Sequence, residues 1–345
     1  MLTVALDAEH TRQSAAGIAR YAHSLARELT ALGAARVIEI GGGKLVERGT
    51  IAKKLLTVRQ DFAWYPFLAQ RAAAEQGADI YHSPLPRGPL RWGSPPFVVT
   101  VHDLVPMRFP ETTTRWSRLY GRLTFRRVLA AADRIIVPSQ NTADDLNGLA
   151  GIPPNKIRVV PNGVDEMFFG PPPPSIAVAT PYVLFVGTPE PRKNLDRLIS
   201  AMALLRTRGF RERLVLVGGG GWGAKLPVTG NEERLGRIPD GELHSLYAHA
   251  SCLAIPSLHE GFGLPALEAM AAGTPVVAAN AGALPEVTGG AAVLIDPLDP
   301  RSIADGIAEA IGSGDSLRAR GRARAREFSW RRTAALTAGV YRELV

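Results

Sequence analysis

The chain of 345 residues is long enough to form two domains, each with its own buried core. Its 46% of hydrophobic and 21% of charged residues are the balance of a globular protein, which excludes a disordered or fibrous chain. No segment reaches the roughly 18 consecutive apolar residues that span a bilayer. A first predicted strand at residue 2 leaves no room for a signal peptide, and a single cysteine excludes an internal disulfide. These features predict a soluble, cytoplasmic protein.

The formal net charge of +8 is unevenly distributed along the chain. Residues 1–170 carry 21 lysines and arginines against 15 aspartates and glutamates, whereas residues 171–327 carry 16 of each. A basic first half suits a nucleic acid, an anionic membrane surface or a phosphorylated substrate. A basic surface without a specific partner is an equally good interpretation.

Short β-rich runs alternate with helical segments along the chain. In the first half the predicted strands are residues 2–7, 36–40, 78–83, 97–103, 134–139 and 157–163. In the second half they are residues 182–187, 213–218, 234–238, 252–257, 275–280 and 291–296. Helices are predicted between most of them, for example at residues 19–32, 195–207 and 265–272, and again at residues 328–345. Apolar strands that alternate with helices predict parallel sheets covered on both faces.

A proline run at residues 171–174 separates the two series of strands, because regular structure cannot continue through it. We therefore predict an α/β fold of two Rossmann-like, doubly wound domains, residues 1–170 and residues 175–327. The final helix, residues 328–345, is expected to cross back onto the first domain. Ligands of open parallel sheets bind beyond the carboxyl ends of the strands, so the expected site is a cleft that the two sheets face.

The richest motif, HEGFGLPALEAMAAGTPVV, follows a predicted strand at residues 259–277. Gly261 and Gly263 allow a tight turn and the close approach of a ligand, and the free N–H groups at the start of the next helix form a natural phosphate site. Glu260 precedes this turn. Glu268 lies on an apolar helix, where a carboxylate is unfavourable unless a donor satisfies it. A ribose or sugar diol would do so, and a buried arginine is the alternative.

A second motif, FVGTPEPRKNL, places Arg192 and Lys193 between a strand and a helix that Asn194 is positioned to cap. Cations at this point can neutralise the phosphates of a departing nucleoside diphosphate. The alternative is a solvated basic turn.

Two weaker signals lie in the first half of the chain. His102 and Asp103 end an apolar strand, where His102 could bond a sugar or accept a proton, although a histidine there is more often structural. Gly17 opens a predicted helix after the first strand and would allow close approach to the donor phosphates.

Two further patterns are assigned no chemistry. The glycine-rich residues 217–223 lack a GxGxxG spacing that leads directly into a helix, so they predict a flexible turn. Arginines at alternate positions spread around a helix, which predicts a solvated helix and not a nucleic-acid reader. They are Arg318, Arg320, Arg322, Arg324 and Arg326.

In their order, these motifs resemble those of the retaining GT-B glycosyltransferases of family 4, and of the mannosyltransferase branch in particular. The resemblance covers nearly the whole chain and rests on Glu260 and Glu268 in an E-x7-E pair, on YVLFVGTPEPRKNL, on VPNGVD and on GRIPDGELHSLYAHA. It implies a GT-B fold and transfer of a hexose from a nucleotide-diphospho-sugar with retention of configuration. GDP-mannose is the first choice of donor, with UDP- and other NDP-sugars as alternatives. A glycan or lipid-linked glycan acceptor, no cofactor and no metal are also implied.

The resemblance implies a role for each candidate residue. Arg192 and Lys193 would stabilise the departing diphosphate, and Glu260 would contact the transferred sugar. Glu268 would bind the ribose hydroxyls, and His102 would lie near the reacting sugar. The remaining positions would contact the phosphates, the sugar or the base: Gly17, Ile238, Gly261, Phe262, Gly263 and Leu264.

Residues 112–133 offer a candidate contact with an anionic membrane. Written as a helix, they align four arginines beside two aromatic side chains, which is typical of an interfacial helix. The alternative is a helix whose arginines pair with acidic neighbours and whose aromatic residues are buried. The residues concerned are Arg115, Trp116, Arg118, Tyr120, Arg122 and Arg126.

Two other classes of function remain open. A non-catalytic nucleic-acid-binding protein would account for the net charge, but not for Glu260, Glu268 or the cations after the strands. The second alternative is a relative that binds a sugar nucleotide without transferring the sugar to an acceptor, such as an epimerase or a sugar-nucleotide sensor.

Overall fold

Parallel β-structure dominates the computed structural model of the chain, which describes residues 1–9, 17–41, 56–109, 124–174, 178–219 and 232–345. The contacts divide the chain into two units. The first unit comprises Met1–Gly163 together with Trp330–Val345, and the second comprises Val164–Ser329.

The first unit contains a six-stranded sheet in the order β2-β1-β3-β4-β5-β6. Every adjacent pair in it is parallel. The strand order reverses between β1 and β3, which makes their carboxyl ends the expected place for a ligand. The strands are β1 (Leu2–Asp7), β2 (Ala35–Ile40), β3 (Ile80–Ser83), β4 (Phe97–Thr100), β5 (Arg134–Val137) and β6 (Ile157–Val159).

The second unit contains another six-stranded parallel sheet, in the order β12-β11-β10-β7-β8-β9. Here the order reverses between β7 and β10, so the loops that follow these two strands flank the switch point. The strands are β7 (Tyr182–Val186), β8 (Arg213–Val217), β9 (Glu232–Gly236), β10 (Cys252–Ile255), β11 (Val276–Ala279) and β12 (Val293–Ile295).

Helices follow most of the strands. In chain order the α-helices of the described ranges are α1 (Gly17–Ala31), α2 (Ala69–Glu75), α3 (Val105–Arg108), α4 (Arg126–Ala131), α5 (Gln140–Ala150), α6 (Leu195–Thr207), α7 (Asp240–His249), α8 (Leu264–Ala272), α9 (Leu284–Thr288), α10 (Pro300–Gly312), α11 (Gly314–Ala325) and α12 (Trp330–Arg342). A π-helix, Gln60–Leu68, leads into α2, and short 3-10 helices cover Pro154–Lys156, Glu166–Phe169 and Pro191–Lys193.

The predicted α/β fold of two doubly wound parallel sheets is confirmed. The division of the chain differs from the predicted linker at residues 171–174, since the second unit begins at Val164. Val164 forms a bridge with Ser329, and Phe168 is buried edge-on against Tyr247 at 5.9 Å. Packing therefore assigns residues 164–170 to the second unit, although the proline run that follows them looks like the natural break.

The last helix belongs to the first unit, where it packs against α1. Trp330, Ala334, Ala338 and Tyr341 are buried and recur every three or four residues, so they form one apolar face. The chain therefore enters the second unit after Gly163 and leaves it before Trp330.

Two of the alternating arginines of α11 bond backbone carbonyls, which corrects the prediction of a solvated helix. Arg322 donates a hydrogen bond to the carbonyl of Ala272 at 3.3 Å, and Arg324 donates to the carbonyls of Glu286 and Val287 at 2.8 and 3.0 Å. These carbonyls lie in the last turns of α8 and α9, where the helix dipole favours a cation. The arginines therefore cap two helices of the second unit.

None of the helices in the described ranges combines the length and the hydropathy of a membrane span. The predicted lipid-binding stripe at residues 112–133 falls mostly on residues 110–123, which lie outside the described ranges. Of its arginines only Arg126 is described, at the start of α4, where it donates to the carbonyl of Leu149 at 3.2 Å.

Candidate functional site

The loops after β7 and β10 come together at the switch point of the second sheet. The loop after β7 carries Arg192 and Lys193, and the loop after β10 carries Glu260. The backbone joins the two loops, because the N–H of Leu258 donates to the carbonyl of Arg192 at 2.8 Å. Residues 67 positions apart in sequence therefore share one site, in the place where open α/β sheets bind ligands.

Asn194 fixes the direction of the loop after β7. Its backbone lies in the left-handed region, at φ 59°, immediately before α6. The predicted side-chain cap is wrong, because the Asn194 side-chain oxygen accepts from the Arg197 side chain at 2.8 Å and not from a backbone N–H of α6. Its amide donates instead to the carbonyls of Pro256 and Pro297, at 2.9 and 2.6 Å. Asn194 thus ties the cation loop to the segment after β10.

The predicted phosphate-binding cations are bonded to carboxylates. Lys193 Nζ lies 2.6 Å from Glu260 Oε1, and an Arg192 guanidinium nitrogen lies 3.3 Å from Glu260 Oε2. Arg192 Nε also pairs with Glu190 at 3.0 Å. The side chains of Arg192, Lys193 and Glu260 are between 11 and 14% exposed. We call these four residues, Glu190, Arg192, Lys193 and Glu260, the ion cluster; its formal charge is balanced.

Glu260 is held ionised within the ion cluster. Burial alone would raise the pKa of its carboxyl, but the charges of Lys193 and Arg192 and the hydrogen bond from Lys193 outweigh burial and lower that pKa to about 2. Glu260 is therefore a carboxylate at any pH near neutrality, able to accept hydrogen bonds but not to donate one.

Two glycines shape the backbone beside Glu260. Gly263 adopts φ +99° as the residue before α8, where an added Cβ would lie 2.7 Å from a Leu284 methyl. Gly282 adopts φ +59°, where an added Cβ would lie 2.7 Å from the carbonyl oxygen of Glu260. Neither position has room for a side chain, so the backbone can lie close to Glu260. The first N–H groups of α8, which have no partner within the helix, follow a few residues later.

The residues between Glu260 and α8 are the predicted donor-binding turn. Gly261, Phe262 and Gly263 are buried, and Leu264, the first residue of α8, is partly buried. The Phe262 ring packs edge-on against Phe328 at 5.9 Å. Any ligand contact in this turn therefore comes mainly from backbone groups, as predicted for a phosphate or sugar site.

Glu268 lies four residues into α8 and is buried, at 4% exposure. Its Oε2 accepts a hydrogen bond from the Tyr247 hydroxyl at 3.0 Å. A tyrosine on α7 thus supports the carboxylate. Ile238, which precedes α7, is partly buried and packs against the core of the same unit.

The other two predicted residues belong to the first unit. His102 follows β4; its Nε2 bonds the carbonyl of Pro84 at 3.0 Å, and its ring meets the Tyr21 ring at 4.9 Å. Because a carbonyl only accepts, Nε2 carries the proton and Nδ1 is the free acceptor of the neutral ring. Burial lowers the pKa of His102, although Asp103 and the Pro84 carbonyl oppose this. Gly17 is the exposed first residue of α1.

The structure thus brings together Arg192, Lys193, Glu260 and the turn from Gly261 to Leu264. The sequence analysis missed three residues that complete this part: Glu190, Tyr247 and Gly282. Glu190 stands within the PEPRKN motif and Tyr247 within GRIPDGELHSLYAHA, so both had a signal. Gly282 had none, because only the fold brings it to Glu260. In the described residues, no group of three or more His, Cys, Asp or Glu side chains is placed to hold a metal ion.

Comparisons with known sequences agree with this geometry. The profile of "Glycosyltransferase Family 4" matches residues 15–168, and that of "Glycosyl transferases group 1" matches residues 172–328. The O-antigen chain mannosyltransferase B of Escherichia coli is 34% identical over 272 residues, which cover 72% of this chain and 70% of that protein. The MMP alpha-(1->4)-mannosyltransferase of Mycolicibacterium hassiacum is 34% identical over 279 residues, which cover 72% of this chain and 66% of that protein.

Other relatives and solved structures extend the likeness. The D-inositol 3-phosphate glycosyltransferase of Saccharomonospora viridis is 36% identical over 290 residues, which cover 73% of this chain and 65% of that protein. This chain therefore spans about two thirds of the length of each of these relatives. The structure of HepE from Anabaena in complex with UDP and glucose is similar in fold, with a TM-score of 0.74 at 19% identity over the full length of both chains.

Proposed function

Because this chain belongs to the family 4 glycosyltransferases, we propose that it transfers a hexose from a nucleotide-diphospho-sugar to a glycan or lipid-linked glycan, with retention of configuration. We propose GDP-mannose as the donor. Two mannosyltransferases, each 34% identical to this chain, support the choice of mannose. HepE was solved with UDP and glucose, but its 19% identity supports the fold alone, so UDP-sugars are the second choice.

The ion cluster is the observation that carries this proposal. A departing diphosphate concentrates negative charge on its oxygens, and cations fixed in advance stabilise that charge without reorganising during the reaction. Arg192 and Lys193 are fixed in this way by Glu190, Glu260 and the backbone. The N–H groups at the start of α8 add a second set of donors for phosphate.

Glu260 has two tasks in this scheme. Together with Glu190 it neutralises Lys193 and Arg192, which allows these charged groups to be largely buried at once. With the donor bound, the diphosphate takes over the cations and the Glu260 carboxylate turns its free lone pairs to hydroxyls of the transferred sugar. The cluster would thus exchange one anion for another instead of binding an anion to unpaired cations.

Glu268 is proposed to accept hydrogen bonds from the ribose diol. An ionised carboxylate can accept about four hydrogen bonds, so a bond from Tyr247 and bonds from a ribose diol are compatible at one group. The Tyr247 bond would then orient the group. Ile238 would lie beside the base, and His102 and Gly17 of the first unit would serve the sugar and the phosphates.

The donor can be identified by thermal shift, because a ligand that binds only the folded protein raises its melting temperature. GDP-, UDP-, ADP- and TDP-sugars are compared at one concentration, each with its free nucleoside diphosphate. The proposal predicts the largest shift for GDP-mannose, and sugar release or transfer from the same donor. A shift without turnover would support the sensor alternative, and no shift with any nucleotide would contradict the proposal.

The cations are proposed to take the role that a divalent metal has in other transferases. Transfer should therefore continue in excess EDTA. Loss of transfer in EDTA that manganese or magnesium restores would show that phosphate neutralisation depends on a metal and not on Arg192 and Lys193 alone.

A further inference from the structure

One hydrogen bond holds the ring of His102 beyond the end of β4. Nε2 lies 3.0 Å from the carbonyl oxygen of Pro84, which leaves Nδ1 as the acceptor of the neutral ring. A ring that is held at one nitrogen can still pivot about that bond, and a pivot would change the direction of Nδ1. A second contact is therefore needed to fix the plane of the ring.

Tyr21 on α1 supplies such a contact. The ring centres of Tyr21 and His102 lie 4.9 Å apart, with their planes at 82°, which is an edge-to-face arrangement that aromatic pairs favour. Because the planes are nearly perpendicular, a pivot of the imidazole would bring it against the Tyr21 ring. Tyr21 lies one turn after Gly17, so the helix whose start is proposed to serve the phosphates also carries this ring.

The Tyr21 side chain is itself held at its ring and at its hydroxyl. Trp330 packs against the ring, with the ring centres 6.1 Å apart. Trp330 is 3% exposed, and its Nε1 has no hydrogen-bond partner within the described ranges, so it acts by packing. The Tyr21 hydroxyl lies 3.0 Å from Thr100 Oγ1. Thr100 stands two residues before His102, so this bond fastens Tyr21 to the segment that carries the imidazole.

The Tyr21 hydroxyl is one end of a buried chain of hydrogen bonds. Thr100 Oγ1 lies 2.8 Å from His82 Nε2, and His82 Nδ1 lies 2.7 Å from the Tyr341 hydroxyl. All four side chains are at most 1% exposed. Burial lowers the pKa of His82 to about 3, so near neutral pH one of its nitrogens donates and the other accepts. The chain can therefore be bonded throughout without a buried charge, which makes it a rigid support for Tyr21.

We propose that Tyr21 is a positioning residue for His102 and acts through its ring, whereas its hydroxyl serves to hold that ring in place. A functional side chain keeps a constant direction when packed neighbours lock its rotamer, as Tyr21 does here. This inference rests on the proposed function, in which His102 serves the transferred sugar. The alternative is a tyrosine that only fills the core of the first unit.

A double-mutant cycle in turnover separates the two roles. Tyr21→Leu should lower kcat for sugar transfer about tenfold and change KM for the donor less, because a small misplacement beside the reacting sugar slows the reaction. Tyr21→Phe keeps the ring and should restore most of the rate. In a His102→Ala background, Tyr21→Leu should change kcat less than about twofold, because the residue through which it acts is gone. Equal losses in the two backgrounds would overturn the proposal.

Histidine NMR of the full chain adds a measurement that needs no substrate. Burial lowers the pKa of His102, so water admitted by Tyr21→Leu should raise that pKa towards 6.5, whereas Tyr21→Phe should leave it unchanged. The titratable neighbours Asp103 and His82 are the same in both variants. The acid limb of the kcat profile should move to higher pH in Tyr21→Leu as well.

Leu25→Ala is the matched control for damage to the core, because Leu25 lies one turn further along the same face of α1 and is fully buried. It should lower the melting temperature and leave the pKa of His102 unchanged. If Tyr21→Leu folds poorly, Tyr21→Met fills more of the space and replaces it in both experiments.

An unchanged pKa of His102 in Tyr21→Leu, or an equal shift in Leu25→Ala, would overturn the proposal. Absence of transfer by the wild-type protein from any donor would instead contradict the proposed function. The NMR comparison would still decide whether Tyr21 positions His102.

Discussion

The two sheets share one architecture, but Asp7 at the end of β1 and Glu260 after β10 differ in what surrounds the buried carboxyl. In the first unit, burial raises the pKa of Asp7 to about 6, although the Tyr81 hydroxyl, the Trp64 indole and the Glu9 N–H all donate to its carboxylate. Burial likewise lowers the pKa of His82 to about 3. Both groups are pushed towards their neutral forms. In the second unit, Lys193 and Arg192 overcome burial and hold Glu260 ionised, with a pKa of about 2.

The difference lies in what each carboxyl-end loop contributes. Around Asp7 and His82 the neighbours are hydroxyls, an indole and a backbone N–H, which can bond a charge but cannot balance it. After β7 and β10 the neighbours are full cations. The first arrangement suits neutral polar ligands, whereas the second suits exchange of one anion for another. The parallel sheet determines where the site lies, and the side chains of its loops determine which ligand the site can bind.

The largest expected effect is on turnover at the ion cluster. Lys193→Met should lower the rate of sugar transfer about a hundredfold, on the order of 3 kcal/mol, because one preorganised cation is lost as charge develops on the diphosphate. Steady-state kinetics with GDP-mannose measures this. Transfer at the wild-type rate would show that Lys193 serves only to balance Glu260.

A structural role of Lys193 is separated by a second variant. Removing one partner of a buried ion pair destabilises the fold, whereas removing both does so much less. The double variant Lys193→Met, Glu260→Gln should therefore regain much of the stability lost in Lys193→Met while turnover stays low. Recovery of both would mean that the low rate reflects unfolding alone.

The next effect concerns nucleotide affinity at Glu268. Glu268→Gln keeps the shape of the side chain but removes the charge-assisted part of its bonds to a ribose diol, worth roughly 1.5–3 kcal/mol. Calorimetric titration with GDP should show this loss. Tyr247→Phe is the control, because it removes the internal donor and leaves the carboxylate, and it should weaken GDP binding less. Unchanged affinity in folded Glu268→Gln would show that the carboxylate stabilises the fold and does not bind the nucleotide.

Sequence patterns predicted the sheets because burial on both faces leaves apolar runs such as those of β4 and β10. They predicted Arg192, Lys193, Glu260 and Glu268 as site residues because charged groups after apolar strands have few other reasons to be there. The pairing of Lys193 with Glu260 and of Tyr247 with Glu268 depends on contacts between distant segments, which no local pattern records. The helix-capping arginines of α11 were misjudged for the same reason.

A smaller effect is expected in the pH dependence of stability. The pKa of His82 is lower in the folded state than its ordinary 6.5, so its contribution to stability is lost as the pH falls below 6.5, about 2 kcal/mol by pH 5. The pKa of Asp7 is raised above its ordinary 3.8, so its contribution is present at low pH and is lost as the pH rises through 6. Between pH 4 and 6, His82 therefore makes the free energy of unfolding rise with pH, whereas Asp7 makes it fall with pH.

Single variants should therefore bring out opposite trends. Denaturant unfolding of His82→Gln between pH 4 and 7 should show less loss of stability at low pH than the wild-type protein shows. Asp7→Asn should show less loss at high pH. Parallel pH profiles for all three proteins would mean that neither group is held neutral by its surroundings.

The smallest effect is expected at a helix end in the second unit. Arg322→Ala removes the cation that bonds the Ala272 carbonyl at the end of α8, and should lower the free energy of unfolding by about 0.3–1 kcal/mol. Arg326, an exposed arginine of the same series, provides the matched substitution to alanine, which should change stability less. Equal effects at both positions would indicate that stability responds to the lower positive charge of α11 and not to the loss of a helix cap.

The central claim is that a diphosphate replaces Glu260 on Arg192 and Lys193. Titration calorimetry of GDP in excess EDTA tests it most directly, with the wild-type protein beside Glu260→Gln. The account predicts that GDP binds without metal and binds the Gln variant more tightly, by about tenfold, because a competing anion about 3 Å from the cations has been removed. The same variant should transfer sugar more slowly. Weaker GDP binding by Glu260→Gln, or binding by neither protein until a divalent metal is added, would contradict the account.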